Sequence, residues 1–124
     1  MAESSGIILN VTEFSMSPGP RYIDQGNDSG ELFYLNKLKD AFQDAVSKGV
    51  SLTVNLDGVD GYASSFLDEA FGNLVYDFGE QLIRSNLEVI SLEEPEWKEM
   101  ILTDTVKNWE KRRKEKKAPR RSSI

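Results

Sequence analysis

The sequence contains no cysteine and no histidine. These two absences exclude disulfide bonds, the usual zinc sites, imidazole acid–base catalysis, and the Ser-His-Asp and Cys-His nucleophilic mechanisms. Long hydrophobic runs are also absent, since the apolar run at residues 7–9 is too short for a signal peptide or a membrane span. We therefore expect a soluble cytoplasmic protein that needs neither a metal ion nor another cofactor.

Basic residues are scarce over most of the chain. Residues 1–106 contain six basic and nineteen acidic side chains, whereas residues 107–121 contain nine basic and two acidic ones. An acidic body repels polyanions, so we expect the folded domain not to bind nucleic acid. We interpret the basic segment as a solvated helix end and tail, and its alternative role is that of an adaptor for nucleic acid or for an acidic partner.

The pattern of apolar residues predicts an α/β domain. Runs that favour strands lie at residues 7–11, 50–56 and 87–92. Helical spacing predicts one helix from a cap at Asp28 or Ser29 to Lys48, a second at about residues 65–78, and a third from Pro95 to about Lys117. Strands that alternate with helices imply crossover connections and a parallel or mixed sheet.

Two further features complete the predicted architecture. The loop at residues 15–30 is long for a compact domain, and we place a fourth strand in it around residues 21–24. We accordingly expect a single domain over residues 1–106 with a small sheet of about four strands packed by helices. Residues 107–124 are expected to form a basic C-terminal helix end and tail.

The most informative stretch is a strand, turn and helix start at residues 54–71. Ser65 and Asp68 have the spacing of a capping box, so we predict that Ser65 caps the second helix. Helix capping alone is one interpretation of Ser64 and Ser65. The other is that the two hydroxyl groups form a recognition or modification site.

This stretch resembles the STAS domain of bacterial anti-sigma factor antagonists and of sulphate-transporter tails. In the antagonists, Leu-x-Gly-Val leads through Asp-Ser-Ser-Gly into a helix, and the second serine is phosphorylated. Leu56-Asp57-Gly58-Val59 and Ser64-Ser65 reproduce parts of that pattern. Ala63 stands in place of the Asp, and Phe66 in place of the Gly.

A closer resemblance is to a STAS-like family of unknown function, typified by Ser-Phe-x-Asp-Glu at this helix start. Ser65-Phe66-Leu67-Asp68-Glu69 matches that sequence, Phe78-Gly79 is similar to the same family, and the resemblance covers roughly residues 7–103. It implies a non-enzymatic regulatory module. The module would bind a protein partner through the turn at 57–65 and the exposed side of the helix at 66–78.

The resemblance also implies a class of partner and a set of site residues. STAS antagonists dock onto ATPases of the histidine-kinase type, some of which phosphorylate them on serine, so a phosphoserine switch is implied here. The partner-binding or regulatory residues are then Asp57, Asp60, Tyr62, Ser64, Ser65, Asp68 and Glu69. Separately from the resemblance, the proline-stiffened loop at residues 17–22 is either a rigid connection or a contact to a partner or an anion through Arg21 and Tyr22.

Two alternative sites use the same acidic residues. One is an enzyme or small-ligand site formed by Asp60, Asp68 and Glu69 with Arg21, although neighbouring side chains on a helix point about 100° apart. The other is a cation site formed by Asp57, Asp60 and Asp68, whose spacing lacks the glycine and the terminal Glu of a calcium loop. The oligomeric state is left open.

Overall fold

Three short strands form one parallel sheet in the computed structural model, which describes residues 6–115. β1 is Ile7–Asn10, β2 is Leu52–Asn55 and β3 is Leu87–Ile90, and their order across the sheet is β1-β2-β3. The first residues of the three strands are in register, and both strand pairs are parallel. The predicted α/β class and the parallel sheet are therefore confirmed.

Four helices accompany the sheet within residues 6–115. Helix α1 covers residues 30–48 as an α-helical turn, Gly30–Phe33, a π-helical turn, Tyr34–Leu38, and a longer α-helical part, Lys39–Lys48. Helices α2 and α3 are Ser64–Phe78 and Glu80–Asn86. Helix α4 covers residues 95–114 as Pro95–Met100, a π-helical turn, Ile101–Thr105, and Val106–Lys114. None of these helices has the length and apolar character needed to cross a bilayer.

The helix boundaries follow from local chemistry. The Ser29 hydroxyl accepts a hydrogen bond from the Leu32 N–H at 3.1 Å and caps α1, which confirms one of the two predicted caps. Gly49 ends α1 with φ 70°, and Gly79 separates α2 from α3 with φ 91°. Both values lie in the left-handed region that favours glycine, and the two helices end at Lys48 and Phe78, as predicted. The short helix α3 is not among the sequence predictions.

The fourth strand predicted around residues 21–24 is not found, because Ile23–Gln25 forms a 3₁₀ turn instead. The backbone of this loop bonds to the start of α1. The carbonyls of Pro20 and Arg21 accept hydrogen bonds from the N–H groups of Gly30 and Glu31 at 2.8 and 3.0 Å, and the Ile23 N–H donates to the Glu31 carboxylate at 3.0 Å. These groups are therefore unavailable for strand pairing.

Helix α2 is the centre of the core and is covered by α1 and α4. Six of its apolar side chains are at most 1% exposed: Phe66, Leu67, Ala70, Phe71, Leu74 and Val75. Gly72 allows the Trp109 ring of α4 to approach, since a Cβ at Gly72 would lie 2.0 Å from a ring atom. The predicted exposed side of the helix at 66–78 is therefore reduced to Asp77, with Asp68, Tyr76 and Phe78 partly exposed.

The two faces of the sheet differ. One face is buried against the helices through Leu9, Leu52, Val54, Leu87 and Val89. The opposite face carries Ile8, Asn10, Thr53, Asn55, Glu88 and Ile90. The chain proceeds in one direction across the sheet, from β1 to β2 and from β2 to β3. Right-handed crossovers between strands in this order place their helices on one side of the sheet. All three strands end at the same edge, where the turn at 56–63 begins α2.

Candidate functional site

The C-terminal edge of the sheet brings the turn at 56–63 together with the loop that follows β3. The Asp57 carboxylate accepts hydrogen bonds from the N–H groups of Leu92 and Glu93 at 3.1 and 3.0 Å. In return, the Gly58 N–H donates to the Glu93 carboxylate at 2.9 Å. Ligands of open α/β sheets bind at this edge of parallel strands, so the location is a favourable one for a site.

The loop that follows β1 contacts the other side of the same turn. The Asp60 N–H donates to the Met16 carbonyl at 2.7 Å, and the Ser17 hydroxyl donates to the Asp60 carboxylate at 2.9 Å. Met16 is 51% exposed and Leu92 is 81% exposed, so two apolar side chains bracket the turn. Neither residue is among the sequence-predicted site residues. Leu92 could have been recognised from the sequence as an isolated apolar residue in an acidic loop.

Tyr62 stabilises the turn from within. Its hydroxyl donates to the Leu56 carbonyl at 2.6 Å, and its ring lies edge-on to Trp97 at 6.3 Å between centroids. Burial raises the pKa of Tyr62, and the nearby negative charges, among them that of Asp57, raise it further. The phenol therefore stays protonated at neutral pH and acts as a hydrogen-bond donor.

The two serines lie at the first positions of α2. The N-cap residue is Ala63, which makes no side-chain capping bond, so the predicted cap at Ser65 is wrong. Ser64 is exposed and Ser65 is half-buried, and within residues 6–115 neither hydroxyl makes a side-chain hydrogen bond. Phe66 points into the core and contacts the Phe33 ring at 5.7 Å, so its bulk does not obstruct the surface of the turn.

Asp68 and Glu69 converge on Arg21, contrary to the expectation from helix spacing. One guanidinium nitrogen donates to both carboxylates, at 2.9 and 3.1 Å. Glu69 is fully buried and also accepts from the Asn73 amide at 2.8 Å. These contacts attach the loop that contains Arg21 to the first turns of α2.

The second oxygen of Asp68 bonds to helix α4. It accepts hydrogen bonds from the Thr105 hydroxyl at 3.2 Å and the Trp109 indole at 3.3 Å. Because these bonds and the one to Arg21 occupy both oxygens, Asp68 cannot complete the capping box predicted with Ser65. Asp68 therefore joins three segments of the chain: the Arg21 loop, α2 and α4.

Burial and charge act in opposite directions on the pKa values of this cluster. Burial lowers the pKa of Arg21, but the hydrogen bonds and charges of Asp68 and Glu69 more than offset it, so the net pKa is raised. Burial raises the pKa of Glu69, the hydrogen bonds from Asn73 and Arg21 lower it in part, and the charge of Glu31 raises it again. One guanidinium is thus paired with two carboxyl groups in this cluster.

The acidic residues of the turn do not form one cluster. Asp57 is bonded to the loop after β3, Asp60 to Ser17, and Asp68 to Arg21 and α4. In the part of the chain that the structure describes, no group of three or more carboxylates is arranged to hold a metal ion. Tyr22, the second predicted loop contact, is half-buried, and its N–H donates to the Gln25 side chain at 3.0 Å.

Comparison with protein families identifies the domain. Residues 29–97 match the model of the STAS-like domain of unknown function (DUF4325), which is more than half of the chain. The chain belongs to this STAS-like family. Neither the comparison with curated proteins nor that with solved structures found a match. The matched part of the STAS-like domain runs from the cap of α1 into the first turn of α4, so the resemblance seen at residues 65–69 is confirmed.

A groove of about 460 Å³ lies elsewhere on the STAS-like domain, at the junction of α2 and α3. Its lining consists of Phe78, Gly79, Glu80, Gln81, Leu82, Ser85, Glu110 and Arg113. Ser64 and Ser65 are not part of that lining. At the start of α2, Ser64 is exposed and Ser65 is half-buried.

Proposed function

We propose that this STAS-like domain is a non-catalytic regulatory module that binds a protein partner at the C-terminal edge of its sheet. The observation that carries the proposal is the exposed Ser64 hydroxyl at the start of a 15-residue helix, next to a turn that the exposed side chains of Met16 and Leu92 bracket. Exposed apolar side chains rimmed by polar groups are typical of protein-binding surfaces. We call the surface formed by Met16, Asp57, Asp60, Ser64 and Leu92 the serine edge.

A non-catalytic role is supported by the engagement of the acidic residues. The paired carboxylates of Asp68 and Glu69 already bind Arg21, and each has a further hydrogen-bond donor. Acid–base catalysis needs carboxylates that can reach a substrate. These two side chains instead hold the loop and α4 against α2.

The partner class follows from the kinship of the family with STAS antagonists. We propose an ATPase of the histidine-kinase type, with phosphorylation on the serine pair as the switch. Ser65 corresponds to the modified position of the antagonists, and Ser64 is the more exposed of the two hydroxyls. A phosphoryl group adds about −1.5 to −2 charges, which the helix N-terminus stabilises and Asp60 opposes. The phosphoryl group would therefore change the partner surface while the fold persists.

The test measures binding of the full chain to purified histidine-kinase-type ATPases encoded in the same genome. The variants are Leu92→Ser, Met16→Ser and Ser64→Asp, with Leu35→Ser as the matched control because Leu35 is also exposed, at 37%, but lies on α1. We expect Leu92→Ser to weaken binding by about tenfold or more and Leu35→Ser to leave it unchanged. Binding that none of the three variants changes would refute the serine edge as the contact surface.

A second candidate function is supported by the basic end of α4. Lys107, Lys111 and Lys114 are exposed, and their spacing of four and three residues places them on one face of the helix. Such a stripe concentrates positive charge on one face of the helix, which favours binding of a polyanion. Oligonucleotide binding by the full chain should then weaken steeply with salt, and K107E/K111E should reduce the slope by about two. Binding without salt dependence would exclude this function.

A further inference from the structure

The sheet has one face that no element within residues 6–115 covers. Ile8 of β1 is 66% exposed and Ile90 of β3 is 37% exposed, whereas the adjacent Leu9 and Val89 are buried on the helix side. Parallel sheets are generally covered on both faces, because their backbone and side chains are suited to a buried environment. We call the surface formed by Ile8, Thr53, Asn55, Glu88 and Ile90 the open face.

The dimensions of the open face match a single helix. Ile8 and Ile90 lie on the two outer strands, which are separated by two strand spacings, or roughly 10 Å. Thr53 and Asn55 of the central strand lie between them, in register with Ile8 and Ile90 respectively. An α-helix with its side chains has a diameter of about 10–12 Å. One helix laid on β2 would contact both isoleucines.

The charge of the open face indicates the charge of the helix that would bind it. Glu88 is exposed and is in register with Thr53, so it lies beside the apolar side chains. At the end of β1, the Asn10 amide donates to the Glu13 carboxylate at 3.1 Å, which places a second acidic group next to the face. The six residues that β1, β2 and β3 direct to this side include no basic one. Electrostatic complementarity therefore favours a cationic partner.

A second copy of this chain fits the open face poorly. Pairing of two open faces would bring the Glu88 carboxylates of both copies into one interface, and like charges at an interface are unfavourable. The exposed stripe of α4 is basic, but Lys107, Asn108 and Lys111 provide no apolar side chain to cover the isoleucines. The occupant of the open face must therefore combine basic side chains with an apolar stripe.

We propose that the open face docks an amphipathic helix of a protein partner, with its apolar stripe between Ile8 and Ile90 and a lysine or arginine next to Glu88. This surface is separate from the serine edge, because it uses the strand side chains of the sheet rather than the turn that begins α2. The STAS-like domain would then hold two proteins at once. The contact area is small, so the helix binds weakly and reversibly.

The probe is a synthetic helical peptide with a leucine stripe flanked by lysines, and its counterpart has glutamates in place of the lysines. Each peptide is titrated into the isotope-labelled full chain, and amide shifts are followed by NMR. We expect the lysine peptide alone to shift the amides of β1, β2 and β3. Glu88→Lys should weaken its binding by about tenfold, and the double variant I8S/I90S should abolish it.

Matched controls separate this proposal from general attraction to an acidic protein. Glu99→Lys changes a carboxylate on α4 that is also exposed, and Leu35→Ser removes an exposed apolar side chain from α1, so both should leave peptide binding unchanged. Ser64→Asp should also have no effect, which distinguishes the open face from the serine edge. The proposal is overturned if Glu88→Lys and Glu99→Lys have equal effects, if the glutamate peptide binds equally well, or if the shifts lie outside the sheet.

Discussion

Arg21 is the side chain that connects the long first loop to the central helix. Its guanidinium lies between Asp68, which is partly exposed, and Glu69, which is fully buried. Arg21→Met should reduce the free energy of unfolding by roughly 2–4 kcal/mol, because the variant leaves a buried carboxylate without its cation. Lys48→Met, which breaks an exposed pair with Asp44, should change it by less than about 0.5 kcal/mol. Urea denaturation of the two variants measures both values, and equal losses would contradict this role of Arg21.

Glu69 should make the stability of the domain depend on pH. Because its pKa is raised in the folded state, the folded protein retains a proton that the unfolded chain releases at its ordinary pKa of 4.5. The contribution of Glu69 to the free energy of unfolding therefore falls as the pH rises from 4.5 through the raised pKa. Glu69→Gln should remove this component of the pH profile.

The control for that profile is Glu96→Gln, which changes an exposed carboxylate on α4. Denaturation of both variants and of the wild type across mildly acidic pH provides the comparison. If the free energy of unfolding depends on pH as steeply in Glu69→Gln as in Glu96→Gln, Glu69 is not the group responsible.

Gly30 is required by close packing between α1 and α2. A Cβ at this position would lie 2.2 Å from the Phe66 carbonyl oxygen, which is backbone and cannot rotate away. Gly30→Ala should therefore destabilise the domain by about 1–3 kcal/mol or more. Gly61 has no atom within 4 Å of an added Cβ, so Gly61→Ala should stay within about 0.5 kcal/mol of the wild type in thermal unfolding. Equal melting temperatures for the two variants would refute the packing argument.

At the level of elements, the docking of α4 on α2 depends on the contact between Trp109 and Gly72. Gly72→Ala places a methyl group inside the space of the indole ring and should cost about 1–3 kcal/mol. Asn108→Ala changes an exposed neighbour of Trp109 and is the matched control. Hydrogen exchange should increase across Val106–Lys114 in Gly72→Ala alone. Exchange that is unchanged in this helix would mean that α4 is held by other contacts.

The elements that the sequence predicts correctly are those with local signals. Alternation of apolar and polar residues indicates β2, and the cap at Ser29 and the stop at Gly49 delimit α1. Helix α3 is not predicted from the sequence because its seven residues are too few for a clear period. The sequence predicts a strand at residues 21–24 because the bonds between this loop and α1 leave no trace in the composition of the loop.

The residues of the candidate site also fall into two groups: those that a local motif locates and those that distant loops contribute. The turn at 57–65 could be located from its motif, because its residues are contiguous. Met16 and Leu92 could not, since backbone hydrogen bonds from distant loops bring them to Asp60 and Asp57. The predicted cap at Ser65 is wrong for a related reason. Asp68 bonds to Thr105 and Trp109, which are far away in the sequence.

At the level of the whole molecule, the sheet presents two surfaces with different chemistry. The serine edge joins hydroxyl groups to exposed apolar side chains, while the open face joins isoleucines to a carboxylate. The helices of the STAS-like domain lie on the remaining side and form the core. The ion pairs of Arg21 with Asp68 and Glu69 hold the first loop against α2.

The most direct test of this account is hydrogen exchange of the full chain, alone and with a histidine-kinase-type ATPase that binds it. We predict that the ATPase slows exchange at residues 57–65 and 91–94 and at Met16 and Ser17, and that Ser64→Asp removes this protection. Protection confined to other parts of the domain, with residues 57–65 exchanging as fast as in the free chain, would contradict the claim that the serine edge is the binding surface.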